Sequence, residues 1–234
     1  MERLDKILSS VYSVSRADAK KLIKKQCVRV NGAVVKSPDE RIDEEKDEIT
    51  LDGEKVTFKK HIYIMLNKPK GVISASNDKR AKTVIDLVPE GMRRDGLFPA
   101  GRLDGDTTGF VLITDDGDFA HRILSPKNHV EKTYHALLSH PLSESDIERF
   151  SSGIELGDGT LCLEAKVRMI SDSTAEVIIH EGKYHQVKRM FASLGNRVLE
   201  LKRVKIGSLP LDDSLGEGEC REISEKEVEM IEEL

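Results

Sequence analysis

The sequence predicts an α+β chain in two parts: a small αβ unit over residues 1–58, then a larger unit over 62–234 whose largely antiparallel mixed sheet is flanked by helices. Three observations carry that expectation. Stretches alternating at period two and stripes at period 3.6 follow one another without the regular βαβ order of a parallel sheet. Glycine turns join neighbouring β-branched runs, which marks hairpins. A basic opening gives way to an acidic run at 39–54, a change of composition that sets the first part off from the second.

In chain order, Leu4, Ile7, Leu8 and Val11 recur at helical spacing. Ser15 stands as N-cap of a second helix, with Asp18 in its first turn and Ala19, Leu22 and Ile23 as its buried stripe. Residues 28–35 read as a hairpin about Asn31-Gly32, because a type I′ turn needs positive φ at both central positions. A second strand pair turns at Asp52-Gly53. After the linker Lys59-Lys60-His61, Ile62, Ile64 and Leu66 alternate as a strand that ends in Asn67-Lys68-Pro69-Lys70-Gly71, a turn rich in breakers. Residues 83–88 form a short helix or turn. A strand over 110–114 precedes a helix over 118–124, stopped by Ser125-Pro126. Beyond it lie a strand over 133–138, a helix capped by Ser143 through Phe150, and a hairpin of 161–170 with 174–180. A helix over 184–194 stops at Gly195, followed by a strand over 197–206 and an acidic helix over 224–233.

Composition narrows the function. The 234 residues are 38% hydrophobic and 34% charged, and no apolar window reaches the length of a membrane span. Residues 1–6 carry no apolar signal region, so a cytoplasmic protein is expected. Cys27, Cys162 and Cys220 stand far apart, which speaks against a zinc site or a disulfide framework. No internal repeat, P-loop or dinucleotide fingerprint is present. The net charge of −5 is segregated: residues 1–36 hold nine Lys/Arg against three acids, and residues 212–234 two against ten. Screening limits surface charge to a reach of roughly 8–10 Å, so the basic face matters more for binding than the total.

The stretch Ala100-Gly101-Arg102-Leu103-Asp104-Gly105-Asp106-Thr107-Thr108-Gly109 runs into the apolar strand. Such a polar, glycine-rich loop on a rigid strand is either an ordinary turn with satisfied side chains or a place for chemistry. Arg102 and Asp104 alternate and so can share a side. On the 184–194 wheel, Tyr184, Val187, Phe191 and Leu194 share one face, with Lys188 at its margin and Arg189 farther round.

The wording of these stretches carries more than their composition. Arg3-Leu4-Asp5-Lys6, then 15–23, then Val28-Arg29-Val30-Asn31-Gly32 resemble an S4-type RNA-binding domain. Residues 101–109, Glu131-Lys132-Thr133-Tyr134, and 181–191 (Glu-Gly-Lys-Tyr-His-Gln-Val-Lys-Arg-Met-Phe) resemble, in order, the three motifs of the RsuA branch of RNA pseudouridine synthases. The resemblance implies a pseudouridine synthase catalytic domain that isomerises one uridine, with small-subunit (16S) rRNA or an assembling small subunit as partner. It implies no cofactor and no metal, and a monomer is expected. It makes Asp104 the carboxylate at the ribose, Lys188 its counter-charge, and Tyr134 a stacking or proton-transferring group. The resemblance implies that Arg102 takes the place of the extruded base, since a stacked uridine is unreachable. Arg189 is implied as a phosphate contact, and His185 and Gln186 as contacts to backbone or base. In the S4-like part the RNA contacts implied are Arg3, Lys6, Arg16, Lys20, Lys21, Lys24 and Arg29. Three other readings stand beside this one: a 23S rRNA target, a non-catalytic RNA-binding assembly factor, and a nuclease metal site of Asp104, Asp106, Asp115 and Asp116.

Overall fold

Short helices and tight hairpins build the first unit, Met1–Ile62 together with Arg93–Gly96. In the computed structural model, residues 1–12, 14–43, 46–56, 58–128 and 130–232 are described. β1 (Glu2–Arg3) pairs with β4 (Arg41–Ile42), and α1 (Leu4–Val11) packs on α2 (Arg16–Lys24). A sheet of β2 (Val28–Val30), β3 (Ala33–Val34), β5 (Ile49–Leu51) and β6 (Glu54–Lys55) runs in the order β3-β2-β5-β6. The punctuation acts as expected. Ser15 Oγ accepts from the Asp18 amide at 3.2 Å. Both hairpins place two residues at positive φ, Asn31 with Gly32 and Asp52 with Gly53. Leu4, Ile7, Leu8, Ala19 and Ile23 close the core with Val28 of the sheet, while Leu22 is only half-buried. Arg93–Gly96 belongs here although it lies far along the chain: Arg94 donates to the carbonyls of Lys59 and Lys60, both at 2.9 Å.

The second unit, Tyr63–Met92 with Leu97–Leu234, is organised on one mixed sheet. Its elements are β7 (Tyr63–Lys68), β8 (Phe98–Pro99), β9 (Thr108–Thr114), α3 (Gly117–Leu124), β10 (Lys132–Leu138), α4 (Glu144–Ser152), β11 (Lys166–Met169), β12 (Thr174–Ile179), α5 (Gln186–Ser193), β13 (Val198–Ile206), β14 (Leu209–Pro210), β15 (Cys220–Glu222) and α6 (Glu225–Glu232). The order is β11-β12-β10-β13-β9-β7-β15, with β14 beside β13 and β8 beside β9. The β9–β13 pairing is parallel and the other pairings are antiparallel. Helices cover the sheet through apolar stripes: Phe119, Ala120 and Ile123 of α3 join Phe110 and Leu112 of β9. Asp116 caps α3 by accepting from the Phe119 amide at 2.9 Å, and Ser143 and Asp146 form a capping box on α4.

The parallel seam demands a glycine. Gly109 has φ +97°, and a Cβ there would lie 2.2 Å from the Arg203 carbonyl oxygen. Gly109→Ala is therefore expected to cost roughly 2–4 kcal/mol from strain and overpacking. Thermal melting checks it, and an unchanged melting temperature rules the close approach out.

Two expected boundaries shift. Asn67 and Lys68 are not a turn: they continue β7, paired to Phe110 and Gly109, and both are buried. Tertiary pairing overrides the breakers that follow. The helix expected from 184 starts at Gln186, because His185 takes a left-handed conformation (φ 49°, ψ 33°) as its N-cap. Tyr184 therefore leaves the apolar stripe and is 74% exposed, while Val187, Met190 and Phe191 form the buried face.

Candidate active site

The loop before β9 is held from its main chain. Ser74 Oγ donates to Leu103 O at 3.1 Å and accepts from the Leu103 amide at 3.0 Å, and the Thr107 amide donates to Asp104 O at 3.1 Å. Beneath it lies Lys68, 0% exposed, whose ammonium donates to Thr107 O at 2.9 Å, to Asp104 O and Pro69 O at 3.1 Å, and to Gly105 O at 3.4 Å. Burial pulls the Lys68 pKa down to about 8, against the attraction of Asp106 and Asp104. A cation that gathers carbonyls from both ends of a loop fixes the loop and leaves the Asp104 side chain free to act.

That side chain meets α5. Lys188 Nζ donates to Asp104 Oδ2 at 3.1 Å and to Asp106 Oδ1 at 2.5 Å, and His185 Nε2 lies 3.4 Å from Asp104 Oδ1. Asp104 and Lys188 keep 26% and 23% side-chain exposure, so the pair is sheltered yet open to a ligand. Burial works against the Lys188 charge, but Asp106 and Asp104 outweigh it and hold the ammonium above the ordinary lysine value. The same contact holds Asp106 below the ordinary carboxylate range.

The turn into α5 is over-determined, as a left-handed non-glycine residue costing on the order of 1 kcal/mol has to be. Buried Glu181 accepts from the Leu163 amide at 2.9 Å, from Gln186 Nε2 at 2.8 Å, and from Lys183 Nζ. Gln186 Oε1 accepts from the Lys183 amide at 2.9 Å. Gln186, expected as a contact to RNA backbone or base, is buried, lines the cleft with Asp104, and braces this turn with its amide. His185 lies beneath the exposed Tyr184 ring in a stack of 3.9 Å between centroids and 17° between planes. Arg189 binds Asp158 at 2.5 Å and the Tyr184 carbonyl at 3.3 Å, so a phosphate would have to compete with a carboxylate.

Tyr134 lies on β10, buried, and lines one cleft with Arg102, Asp104, Thr107 and His185. Its hydroxyl accepts from Arg203 Nη1 at 3.4 Å. Lys132, two residues before it, is buried with its ammonium on Val130 O at 2.8 Å and Ile123 O at 3.3 Å, and burial pulls its pKa down to about 8. Lys68, Lys132 and Arg203 are three buried cations that residue type and spacing did not single out.

In the first unit the basic residues are partly engaged. Arg3, Arg16 and Lys20 converge on buried Asp5 at 3.1, 3.2 and 3.9 Å, Lys6 contacts Glu2, and Lys21 contacts Asp18 at 2.8 Å. Arg29 donates to Gly32 O at 3.1 Å, and Lys24 pairs with no acid among the described residues. Among the described residues no group of three His, Cys, Asp or Glu gathers to hold a metal. Asp116 is taken up by the α3 cap and by the Tyr63 hydroxyl at 2.7 Å, which separates it from Asp104 and Asp106 in role. No described helix is long and apolar enough to cross a membrane.

Comparison with known proteins places the chain in a family. Residues 62–193 match the RNA pseudouridylate synthase family and residues 2–49 the S4 domain. An uncharacterized RNA pseudouridine synthase, YtzG, of Bacillus subtilis is 43% identical, the match covering 99% of this chain and 98% of that one. Ribosomal small subunit pseudouridine synthase A of Vibrio cholerae is 44% identical over 98% of this chain and 99% of its own length. A crystal structure of a pseudouridylate synthase superposes with a TM-score of 0.69 at 42% identity, covering 99% of this chain and all of that one. The chain belongs to the RNA pseudouridine synthases, with an N-terminal S4 domain of its own.

Proposed function

We propose that this enzyme isomerises one uridine of small-subunit rRNA, at the position-516 type of site in 16S rRNA, with Asp104 acting at the ribose. The observation that carries the chemistry is the Asp104–Lys188 ion pair in the cleft that Tyr134 and Arg102 line. The small-subunit target is supported by relatives of matching length that bear that name, at 44% and 42% identity.

The reaction breaks N1–C1′ and remakes the glycosidic link through C5, with the C5 proton lost and a proton taken up at N1. It is balanced in atoms and electrons without a cofactor. Asp104, paired with Lys188, serves as nucleophile at C1′ or as base at the sugar. Tyr134 stacks on the uracil or moves a proton, Arg102 fills the gap left by the extruded nucleotide, and His185 at the rim contacts RNA. The domain over 62–234 performs the chemistry while the S4 domain over 1–58 holds the RNA backbone with Arg3, Lys6, Arg16, Lys20, Lys21, Lys24 and Arg29. Arg189 joins them where a phosphate displaces Asp158. The enzyme works as a cytoplasmic monomer on 16S rRNA or on an assembling small subunit.

Transcripts of 16S and 23S rRNA, offered separately and then mapped for pseudouridine, test the target. A single modified uridine in 16S rRNA and none in 23S is expected. Modification confined to 23S rRNA overturns the target while leaving the chemistry standing.

A further inference from the structure

Arg203 is 4% exposed on β13, the strand between the one that carries Tyr134 and the one that follows Asp104. It is the register partner of both Tyr134 and Gly109. Its Nε donates to Phe110 O at 2.7 Å and its Nη1 to the Tyr134 hydroxyl at 3.4 Å, while its guanidinium lies 6.0 Å from the Tyr134 ring centre. The third nitrogen, Nη2, is buried without a partner, and no carboxylate pairs with this cation among the described residues. Buried charges are ordinarily paired, so a buried guanidinium anchored to one carbonyl and one phenol is a costly device.

The chemistry of the contact has a direction. A guanidinium has donors and no acceptor, so in this bond the Tyr134 oxygen accepts. The hydroxyl proton must then point elsewhere, and no described residue accepts it. Tyr134 lines the cleft that also holds Asp104. We infer that Arg203 is a positioning residue for the reaction: by holding the Tyr134 oxygen as an acceptor, it turns the hydroxyl proton out of the sheet and toward bound substrate. The inference rests on the role of the Tyr134 hydroxyl proposed above.

A double-mutant cycle under single-turnover conditions tests it, with tritium release from a 5-tritiated 16S transcript as readout. Arg203→Met removes both donors. Arg203→Lys keeps the buried cation but cannot bridge Phe110 O and the phenol together, and it carries the test if the Met variant does not fold. Each is expected to lower the single-turnover rate roughly 10- to 100-fold, the share of proton-transfer catalysis lost when the donor is misdirected, with KM within about twofold. In a Tyr134→Phe background neither substitution lowers the rate further, since the hydroxyl it orients is gone. A merely structural arginine lowers the rate equally in both backgrounds, and that result overturns the inference, as does a folded Arg203→Lys enzyme with the wild-type rate. A wild-type rate in Tyr134→Phe alone removes the proposed role of Tyr134 and this inference with it.

Discussion

Asp104→Asn abolishes uridine isomerisation, with a loss on the order of 10⁴-fold or more, and leaves RNA affinity within a few-fold of wild type. The substitution keeps the shape of the side chain. The loop around it is fixed by main-chain contacts to Ser74 and Lys68, none of which the change touches. Lys188 keeps a carboxylate partner in Asp106, so α5 stays tethered. What disappears is the only property the chemistry needs, a charged oxygen at the ribose, because an amide is neither a useful nucleophile nor a base. Tritium release from 5-tritiated uridine transcripts measures the first half of the expectation and equilibrium binding to the same RNA the second. Turnover within tenfold of wild type moves the catalytic carboxylate elsewhere. Inactivity together with lost binding or a lowered melting temperature turns Asp104 into a structural residue.

The Asp104–Lys188 pairing was legible because motif wording pointed at both residues and helical spacing set Lys188 at the margin of its stripe, and the fold brings them to 3.1 Å across 84 residues of chain. Most elements were legible for a related reason: their ends carry local chemistry that acts within a few residues. Ser15, Asn31-Gly32, Asp52-Gly53, Ser143 and Gly195 each stop or start an element through a bond or a φ value that belongs to that position alone. What escaped depends on partners far away. The left-handed His185 that begins α5 two residues late is held by Glu181 and Gln186, whose bonding to each other and to the Leu163 amide no periodicity encodes. The bracing role of Gln186 was hidden for the same reason. Lys68 sits among Pro69, Lys70 and Gly71, where residue type argues for an exposed turn, and only its pairing with Gly109 across the sheet makes it a strand residue. Arg203 stands in a run of alternating lysines and apolar residues, and nothing local separates it from Lys202 or Lys205, which pair with His135 and Thr133 on the same neighbouring strand.

Lys68 is where that lost information has the largest energetic consequence. Its ammonium contacts four carbonyls, three of them in the 104–107 loop. Lys68→Met takes that donor from Pro69 O and Thr107 O, while Asp104 O keeps the Thr107 amide at 3.1 Å and Gly105 O the Gly71 amide at 2.7 Å. Leaving a buried carbonyl without its donor costs about 1–3 kcal/mol each. Against this, the Met variant no longer buries a charge, which returns part of the loss. A net destabilisation of roughly 2–4 kcal/mol is expected, with a fall in the isomerisation rate because the Asp104 backbone loses its anchor. The pH dependence separates this account from a simple packing defect. With a folded pKa of about 8 against an ordinary 10.5, the unfolded chain holds more protons than the folded chain between those values. Stability contributed by this group therefore rises with pH across that window, and below about pH 8 the full cost of burying the ammonium is carried. The stability gap between wild type and Lys68→Met should widen by roughly 3 kcal/mol from pH 8 to pH 10.5, read from denaturant unfolding of the two proteins side by side so that Lys132 and the other titrating groups cancel. A gap that stays flat over that range would mean Lys68 is not held as a desolvated ammonium, and that the Asp104 loop draws its rigidity from Ser74 and the β9 pairing alone.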